Sequence, residues 1–411
     1  MTLKRGKTLS SHGTVHSTAR IQTRQARAAL VSSVLLGAMC VFAACSSAST
    51  GPAATAAAAS NKTRAAFLAQ AKAAVAAGIT GTGSAPPTSG PRAQPGKTVW
   101  IIPCNAAAAS CEIPAEAVAT AGRHLGWTTK IVDGQFNPVT WNNIIQEATS
   151  AKVDAIVLSG IDCAPVQAKL ETARAAGIKI VGIQAVDCNE QFGGGGAAEF
   201  DAEVPERGAA YDEVAGNLQA DWLISRTDGK AKVLATELPG VPDLANTHQG
   251  FIREMAKCTT CQVIDLSMSA AQVISNEGRA MVTTALTRNP EINAIETESD
   301  TLFLALAAPV IEQAKARGQT LLGLGLEGLA PNVQLIKSGI QGMGAGVPIN
   351  QIGWAAADSL NRLFAGQPLV NEGIGLQIVD QQHNLPASGA YDGLRQYSHY
   401  EQTYEKTWAG A

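Results

Sequence analysis

The stretch that decides the fold covers residues 137–188 and reads NPVTWNNIIQEATSAKVDAIVLSGIDCAPVQAKLETARAAGIKIVGIQAVDC. Two short aliphatic runs, at 154–158 and 178–183, each follow an amphipathic helical pattern. They predict two buried strands of a parallel sheet, and each strand ends in a polar loop that carries an Asp and a Cys. Because open parallel sheets bind ligands outside the carboxyl ends of their strands, we expect a small molecule to bind at this edge.

The same alternation of strand and helix continues on both sides of this stretch. A glycine run at 193–196 and an extended segment at 198–204 interrupt it, and a second series then begins. Two tandem series predict an α/β protein with two doubly wound parallel-sheet lobes rather than one eight-stranded barrel. The predicted strands are 98–103, 129–132, 154–158, 178–183, 232–236, 263–266, 294–296 and 320–326, with a last extended segment at 374–379. The predicted helices are 114–125, 138–150, 207–225, 243–256, 275–287, 302–317, 331–337 and 349–364.

Both ends of the chain lie outside these lobes. Residues 46–61 are rich in Ala, Ser and Thr, 62–77 contain strong helix formers that predict a short helix, and 78–96 are rich in Gly, Pro and Ser. We therefore expect residues 46–96 to act as a flexible tether and linker. The polar and aromatic tail at 386–411 shows no pattern that predicts its structure.

The first 45 residues have the composition of an export signal. They carry six basic groups and no acidic group, followed by an apolar run at 30–44 that is short for a membrane span. The run ends in two alanines before Cys45, which resembles a bacterial lipoprotein signal with Cys45 as the lipidated residue. An ordinary signal that is cleaved near the same alanines, with Cys45 incidental, is the alternative. Cys40 fits less well because a bulky residue precedes it.

The body of the chain is acidic. The whole sequence has a formal net charge of -3, and since the first 45 residues contribute six positive charges, the remainder carries -9. An acidic body is a poor counterion for phosphate, which argues against nucleic-acid binding.

Apart from Cys40 and Cys45, six of the eight cysteines remain, an even number that suits disulfides in an exported chain. Six cysteines allow fifteen pairings, so any one pairing is a hypothesis. For the CxxC at 258–261 the alternative is zinc or redox chemistry, but zinc needs a second CxxC or a nearby His pair, and the sequence offers neither. The spacing suggests three local pairs: Cys104 with Cys111, Cys163 with Cys188, and Cys258 with Cys261.

No motif in the lobes predicts catalysis. The segment 323–328 matches GxGxxG, but no acidic residue follows at the spacing that a dinucleotide site requires, so we interpret it as a strand end that turns into a helix. The glycine run at 193–196 lacks the Lys and Ser/Thr of a phosphate loop. Of the histidines, only His124 and His248 fall in the lobes, and His248 either contacts ligand or is merely solvated. With no supported nucleophile–base pair and no metal-ligand spacing, we predict a non-enzyme without cofactor or metal.

The chemistry of the lobes lies in polar residues at the predicted carboxyl ends of strands. Carboxylates and amides accept and donate hydrogen bonds in fixed planes, which suits a hydroxyl-rich ligand in a cleft. Each residue alone could be a cap or a turn residue, Asp243 and Asp300 in particular. Trp141 either packs at the hinge side or contacts ligand. The candidate ligand-binding residues are Asn105, Trp141, Asp162, Gln184, Asp187, Asp243, Asn246, Ser299, Asp300 and Glu327.

Residues 97–379 resemble the type I periplasmic solute-binding proteins of the ribose-binding kind, which are related in fold to lac-repressor-like core domains. The resemblance rests on NPVTWNNIIQEATSAKVDAIVLSGID, AAGIKIVGI, TLFLALAAPVIEQAKARG and LLGLGLEGLAPNVQLIKSG. It implies two lobes joined by three crossovers, with a ligand cleft between them, that close over a solute before docking on a permease. The implied boundaries are 97–203 plus 346–367 for lobe 1 and 204–345 plus 368–385 for lobe 2.

Several positions depart from the pattern of the ribose-type sugar binders. No stacking aromatic occurs in the loop at 104–111, and the Asp-Arg pair expected after the fourth strand is replaced. Because stacking on a sugar face contributes to affinity, these departures weaken the case for a simple pentose or hexose. The substituted positions are Gln184 and Ala185 for Asp-Arg, Ala245 for Arg, Ser299 and Asp300 for Asn-Asp, Glu327 for Asp, and Val347 for Gln.

Together with the export signal, the resemblance implies a lipid-anchored, extracytoplasmic solute-binding protein that feeds an ABC importer. We expect a monomer on the outer face of the cell membrane, whose partners are a small polar solute, with a sugar or polyol as first choice, and a membrane permease. The alternatives are a ligand-sensing receptor of the same fold that signals to a membrane partner, or a binder of a non-sugar metabolite. A secreted hydrolase is disfavoured because no activated nucleophile is present.

Overall fold

The computed structural model describes residues 52–190, 192, 195–275 and 277–410, with side chains from residue 64 onward. The predicted signal peptide, the lipidation site Cys45 and the beginning of the predicted tether lie outside the described residues. Within the described part of the chain, no helix combines the length and apolar character that are needed to cross a bilayer.

The segment that precedes the lobes forms regular structure, whereas the sequence predicted a flexible tether and linker there. Helix α1, Pro52–Thr80, is longer than the short helix predicted at 62–77, because the alanines that precede that segment also favour helix. Its Ala71 is fully buried, and Lys72 forms an ion pair of 3.1 Å with Asp228. Residues 81–96 then hydrogen-bond through their backbone to residues 373–376 and to Trp408, so this linker lies along the folded body.

Lobe 1 is a parallel sheet of five strands with helices on both faces. Its elements are β1 Thr98–Pro103, α2 Ala109–His124, β2 Thr128–Ile131, α3 Pro138–Ser150, β3 Ala155–Ser159, α4 Gln167–Ala175, β4 Lys179–Ile183 and β5 Ala202–Val204. The strand order is β2-β1-β3-β4-β5. Every residue of β3 is buried, because helices cover both faces of this central strand, which explains its unbroken aliphatic sequence.

Lobe 2 is a sheet of six strands in which one edge strand is antiparallel. Its elements up to the second lobe-to-lobe connection are α5 Gly208–Arg226, β6 Lys232–Glu237, α6 Pro242–Met255, β7 Gln262–Ser267, α7 Ala270–Ile274, α8 Glu277–Arg288, β8 Ala294–Glu296, α9 Asp300–Leu302, a π-helix Phe303–Ala307, α10 Ala308–Ala316, β9 Leu322–Glu327, α11 Ala330–Ser338 and β10 Met343–Gly346. Strand β10 was not predicted, because it is short and half of it is glycine. The single helix predicted at 275–287 is replaced by α7 and α8, since Ser269 and Gln272 form a capping box that starts a helix earlier.

Three connections join the lobes, at 205–207, 347–348 and 365–376. The second and third flank helix α12, Ile349–Phe364, which leaves lobe 2 and packs against α2, β4 and β5 of lobe 1. The chain then returns to lobe 2 as β11, Gln377–Asp380, and the order of that sheet is β11-β10-β9-β8-β6-β7. The predicted fold of two α/β lobes is confirmed.

The C-terminal tail folds back onto lobe 1. It forms a short 3-10 helix, Arg395–Tyr397, and helix α13, Tyr400–Ala409. The ring of Trp408 stacks on Trp354 of α12, with centroids 5.6 Å apart and an interplanar angle of 1°. The aromatic residues of the tail form an apolar face only against α12, so the tail sequence alone gave no sign of this helix.

Three disulfides are present, joining Cys104 to Cys111, Cys163 to Cys188 and Cys258 to Cys261. This is the pairing that the spacing suggested. The Cys163–Cys188 bond links the loops that follow β3 and β4, and both sulfur atoms are buried. The bond therefore holds together two loops at the strand edge where a ligand was expected.

The GxGxxG segment is strand β9 and the turn after it, as interpreted from the sequence. A Cβ on Gly323 would collide with the ring of Phe303, and a Cβ on Gly325 would collide with the carboxylate of Asp300. These two glycines are therefore required by packing, which accounts for the motif without a phosphate.

Candidate functional site

A cavity of about 170 Å³ lies between the two lobes, at the carboxyl ends of their strands. Loops after β1, β2, β3 and β4 form one wall, and the strand ends and loops of β6, β7, β8 and β9 form the other. This is the edge at which the strand pattern predicted a ligand. The polar side chains that line the cavity are Asn105, Ser110, Gln184, Asp243, Ser299, Thr301 and Glu327.

The two walls touch each other across the cleft. The hydroxyl oxygens of Ser110 in lobe 1 and Thr301 in lobe 2 are 3.0 Å apart. The Gln184 amide of lobe 1 hydrogen-bonds to the Glu327 carboxyl group of lobe 2. These contacts describe a closed arrangement, in which a bound solute would be largely shielded from water.

Gln184 and Glu327 occupy matching places at the ends of β4 and β9. Both have left-handed backbone conformations, with φ of 44° and 98°, although neither is glycine. Such conformations are strained for a residue with a Cβ and concentrate at binding sites. Burial, and then the nearby Asp300 carboxylate, raise the pKa of Glu327 well above its ordinary value. Gln184 Oε1 and Glu327 Oε2 are buried and have no hydrogen-bond partner in the protein.

A group of carboxyl groups borders the same end of the cavity. Asp243 lies in the first turn of α6 and lines the cavity, and burial raises its pKa to about 7. Burial and then the Asp243 charge raise the pKa of Asp162 well above its ordinary value. Asp162 accepts a hydrogen bond of 2.8 Å from the Val186 backbone N–H, and it also interacts with the Asp243 backbone N–H. Asp162 therefore joins the lobes from behind the cavity wall.

Ser299 and Asn105 line the cavity and also cap local structure. Ser299 Oγ accepts a hydrogen bond of 3.2 Å from the Leu302 N–H at the start of α9, and Asn105 Oδ1 accepts one of 2.9 Å from the Ala107 N–H. Each side chain retains further hydrogen-bonding capacity beyond this bond. Both the cap reading and the ligand reading of these residues are thus compatible with their positions.

Two predicted ligand residues, Asp187 and Asp300, do not line the cavity but organise its loops. The Asp187 carboxylate accepts hydrogen bonds from the backbone N–H groups of Cys188, Glu199 and Phe200. Asp300 is fully buried and accepts from the N–H groups of residues 328 and 329 and from a side-chain amide. Protein donors therefore satisfy both carboxylates, and each carboxylate holds separate chain segments together.

Trp141, Asn246 and His248 also lie outside the lining of the cavity. The indole N–H of Trp141 donates a hydrogen bond of 3.2 Å to the Cys104 carbonyl oxygen, and the ring packs edge-on against Phe136. His248 is 3 % exposed, which rules out the solvated alternative, and burial lowers its pKa. Asn246 is fully buried on α6. The packing alternative therefore describes Trp141 in this closed form.

The sequence did not point to the apolar part of the cavity. Phe136 lies in the loop DGQF that follows β2, and an aromatic residue in a strand-end loop that contains Asp and Gly is a sequence signal for a ligand contact. In lobe 2, further apolar groups lie in the β6–α6 loop and on α6, α7 and α9, which are distant in sequence and meet only in the folded lobe. They are Leu238, Val241, Leu244, Ala270, Val273, Ile274 and Leu302.

A scan against protein-family models matches residues 101–368 to the periplasmic binding protein domain. The chain belongs to the periplasmic binding protein family. Proteins of this family bind solutes and are not enzymes, in agreement with the lack of a catalytic constellation in the sequence. The matched residues include both walls of the cavity.

Solved structures of periplasmic binding proteins share this fold. A solute-binding protein from Agrobacterium vitis bound with α-D-tagatopyranose is 20% identical, with a TM-score of 0.59, and the match covers 70% of this chain and 95% of that one. A glucose-galactose binding protein from Geobacillus stearothermophilus is 18% identical, with a TM-score of 0.59 and coverage of 70% and 99%. A solute-binding protein from Burkholderia graminis in complex with D-arabinose is 20% identical, with a TM-score of 0.58 and coverage of 72% and 98%. A search of curated protein sequences finds no match.

Proposed function

We propose that this periplasmic binding protein captures a small polar solute, a sugar or polyol, between its lobes and delivers it to an ABC permease. Support for the solute class comes from the similar proteins bound with tagatose and arabinose and from the cavity itself. A monomer is enough for this function, because both walls of the cavity come from one chain.

The observation that carries the proposal is the mixed lining of the closed cavity. Hydroxyl, amide and carboxyl groups line it together with Phe136 and aliphatic side chains. A sugar or polyol presents hydroxyl groups and C–H surfaces that can be matched to these two kinds of group. Since both lobes contribute polar and apolar lining residues, the solute would complete the contact between the lobes.

Thermal unfolding and calorimetry with a library of sugars and polyols test this function. A ligand that binds only the native state at about 100 times its Kd adds roughly 2.7 kcal/mol to the free energy of unfolding, so a hit is easily detected. The Phe136→Ala variant should weaken binding of the hit, whereas Phe192→Ala, a matched change at an exposed phenylalanine, should not. A library in which nothing binds would contradict the proposed solute class.

We also propose that Cys45 carries a lipid that anchors the protein to the outer face of the cell membrane. The support is the small-residue sequence before Cys45 and the basic and apolar segments upstream. A Cys45→Ala variant should move from the membrane fraction to the soluble fraction, with Cys40→Ala as the matched control. An unchanged distribution of the Cys45 variant would contradict the anchor.

A further inference from the structure

The polar lining of the cavity is acidic. Asp243 and Glu327 line it, and Asp162 and Asp212 lie directly behind it. Burial, and then the charges of Asp243 and Asp162, raise the pKa of Asp212 well above its ordinary value, which shows how close these groups are. Four carboxyl groups from both lobes therefore share one buried region.

No basic residue balances these acids within the described part of the chain. The described residues that line the cavity include no Lys, Arg or His, and none of the ion pairs among the described residues involves any of the four carboxyl groups. Ion pairs do form elsewhere at buried acids, as between Asp358 and Arg362 at 2.6 Å. Buried carboxyl groups without a basic partner hold their protons, in line with the raised pKa values, and a positive charge brought by a ligand would stabilise their ionised forms.

Several acceptor atoms in this region have no donor. Asp243 Oδ1, Glu327 Oε2 and Gln184 Oε1 are buried without a hydrogen-bond partner, and all three residues line the cavity. Asp212 Oδ2, which lies behind the cavity wall, is also buried without a hydrogen-bond partner. Glu327 is only 3 % exposed, although it lines the cavity. An ammonium group has three N–H donors and no acceptor, which matches this set of open acceptors.

A bare metal ion fits the region less well than an organic cation. Among the described residues, the one group with three possible ligand atoms close enough for a metal is Cys163, Asp187 and Cys188. Those two cysteines are joined in a disulfide, and Asp187 is occupied by backbone N–H groups. The carboxyl groups of the cavity are too widely spaced to enclose one ion, but they can surround a charged group on a larger molecule.

We propose that the solute carries a positively charged nitrogen, as an amino sugar or amino polyol does, and that Gln184, Asp243 and Glu327 hold its ammonium group. This rests on the proposed function and narrows it to a cationic solute. The carbon body of such a solute lies against the apolar groups of the cavity, and its ammonium N–H groups supply the donors that the two lobes lack. Asp162 and Asp212 strengthen the attraction from behind the wall.

Calorimetry at pH 6.5 with matched ligand pairs tests the proposal on the purified protein. The pairs are D-glucosamine with D-glucose and N-methyl-D-glucamine with D-sorbitol, together with agmatine and phenylethylamine as amines without a sugar body. In at least one pair, the ammonium member should bind about tenfold tighter or more than its neutral partner. Glu327→Gln should remove most of this preference, whereas Glu312→Gln, a matched change at an exposed glutamate of α10, should leave it intact.

The outcomes separate this inference from the proposed function. Binding of neutral sugars or polyols as tightly as their amines overturns the cationic solute and leaves the sugar receptor standing. Binding of agmatine or phenylethylamine alone supports the positive charge and overturns the sugar class. If no amine binds at all, or if Glu327→Gln retains the full preference, the proposed ammonium site is overturned.

Discussion

The protein contains two groups of buried carboxyl groups, and they differ in how their oxygens are satisfied. Under the C-terminal helix, Asp358 accepts from Arg362 at 2.6 Å and from the indole N–H of Trp408 at 2.7 Å. In the same group, Glu372 accepts from the Tyr404 hydroxyl at 2.9 Å. In the cleft, the carboxyl groups of Asp162, Asp212, Asp243 and Glu327 repel one another and lack a basic partner among the described residues.

The comparison shows how the fold satisfies a buried carboxyl group that has a structural role. Where the acid joins two elements, as under α13, the protein supplies both a positive charge and uncharged donors. Where the protein supplies no basic partner, burial of the carboxyl group lowers the free energy of unfolding of the ligand-free protein, and a bound cation can offset this loss. We therefore expect the first group to determine stability and the second to determine binding.

The largest effect is expected from Arg362→Met. This change leaves Asp358 buried without its cation beside Glu372, and breaking a buried pair in this way costs about 3–5 kcal/mol of the free energy of unfolding. Denaturant unfolding of the purified variant measures the loss. A loss below about 1 kcal/mol would contradict the claim that Arg362 stabilises the buried carboxyl groups under α13.

The next effect is a dependence of stability on pH that comes from the buried carboxyl groups. Burial raises the pKa of Glu203 to about 8 and those of Asp243 and Asp300 to about 7. In the unfolded chain carboxyl groups titrate near 4, so the folded state holds more protons between about pH 4 and 8. The free energy of unfolding must then fall as the pH rises through this window.

We expect the ligand-free protein to lose at least about 2 kcal/mol of unfolding free energy between pH 5 and pH 8, because a single carboxyl group with a folded pKa of about 7 already accounts for that much. His248, whose pKa is lowered by burial, acts in the opposite direction but is a single group. Unfolding by denaturant at a series of pH values checks this slope, and Asp243→Asn should reduce it. Stability that rises with pH over this range would contradict the account of the cleft.

A smaller loss is expected from Tyr404→Phe. The change keeps the packing of the ring but removes the hydroxyl that donates to Glu372, so one buried carboxyl oxygen loses its donor. The expected cost is about 1–3 kcal/mol. Tyr397→Phe, at a tyrosine that makes no such contact, is the control, and equal losses in the two variants would contradict the role given to this hydrogen bond.

The smallest effect on stability is expected from Glu327→Gln in the ligand-free protein. The substitution keeps the shape of the side chain and replaces a carboxyl group that has no basic partner, so the free energy of unfolding at pH 7.5 should change by less than about 1 kcal/mol or rise. Denaturant unfolding measures the stability, and calorimetry measures the accompanying loss of solute affinity. A large destabilisation would show that Glu327 contributes to stability, as Asp358 and Glu372 do, and would contradict its assignment to binding.

Much of the fold could be predicted because its elements are bounded by local signals. The predicted bounds of 98–103, 138–150, 294–296 and 349–364 agree with β1, α3, β8 and α12. These segments are uninterrupted runs with one clear period and well-defined ends. Strand β10 and helix α13 could not be predicted, because glycines dominate one and the other depends on stacking against α12.

The site was predictable only as far as the strand-end rule extends. That rule identified Gln184, Asp243 and Glu327, whose side chains enter the cavity. It could not separate them from Asp187 and Asp300, which also follow strands but bind neighbouring backbone N–H groups. The apolar lining was missed because the rule selects polar residues after strands, whereas Val273 and Ile274 are apolar residues of helix α7. Local sequence therefore locates the edge of the sheet but does not tell which side chains stay available.

The most direct test of the central claim is to count the protons released when an amine binds. N-methyl-D-glucamine, or the tightest-binding alkyl amine of the panel, is titrated at pH 6.5 in buffers with different enthalpies of ionisation. An alkyl amine is already protonated at this pH, so any proton exchange reports on the protein. We predict a net release of protons, because a positive charge beside Asp243 and Glu327 lowers their raised pKa values, and we predict that an Asp243→Asn, Glu327→Gln double variant loses this release. Tight binding without proton release would contradict the claim that the solute brings a positive charge next to Asp243 and Glu327.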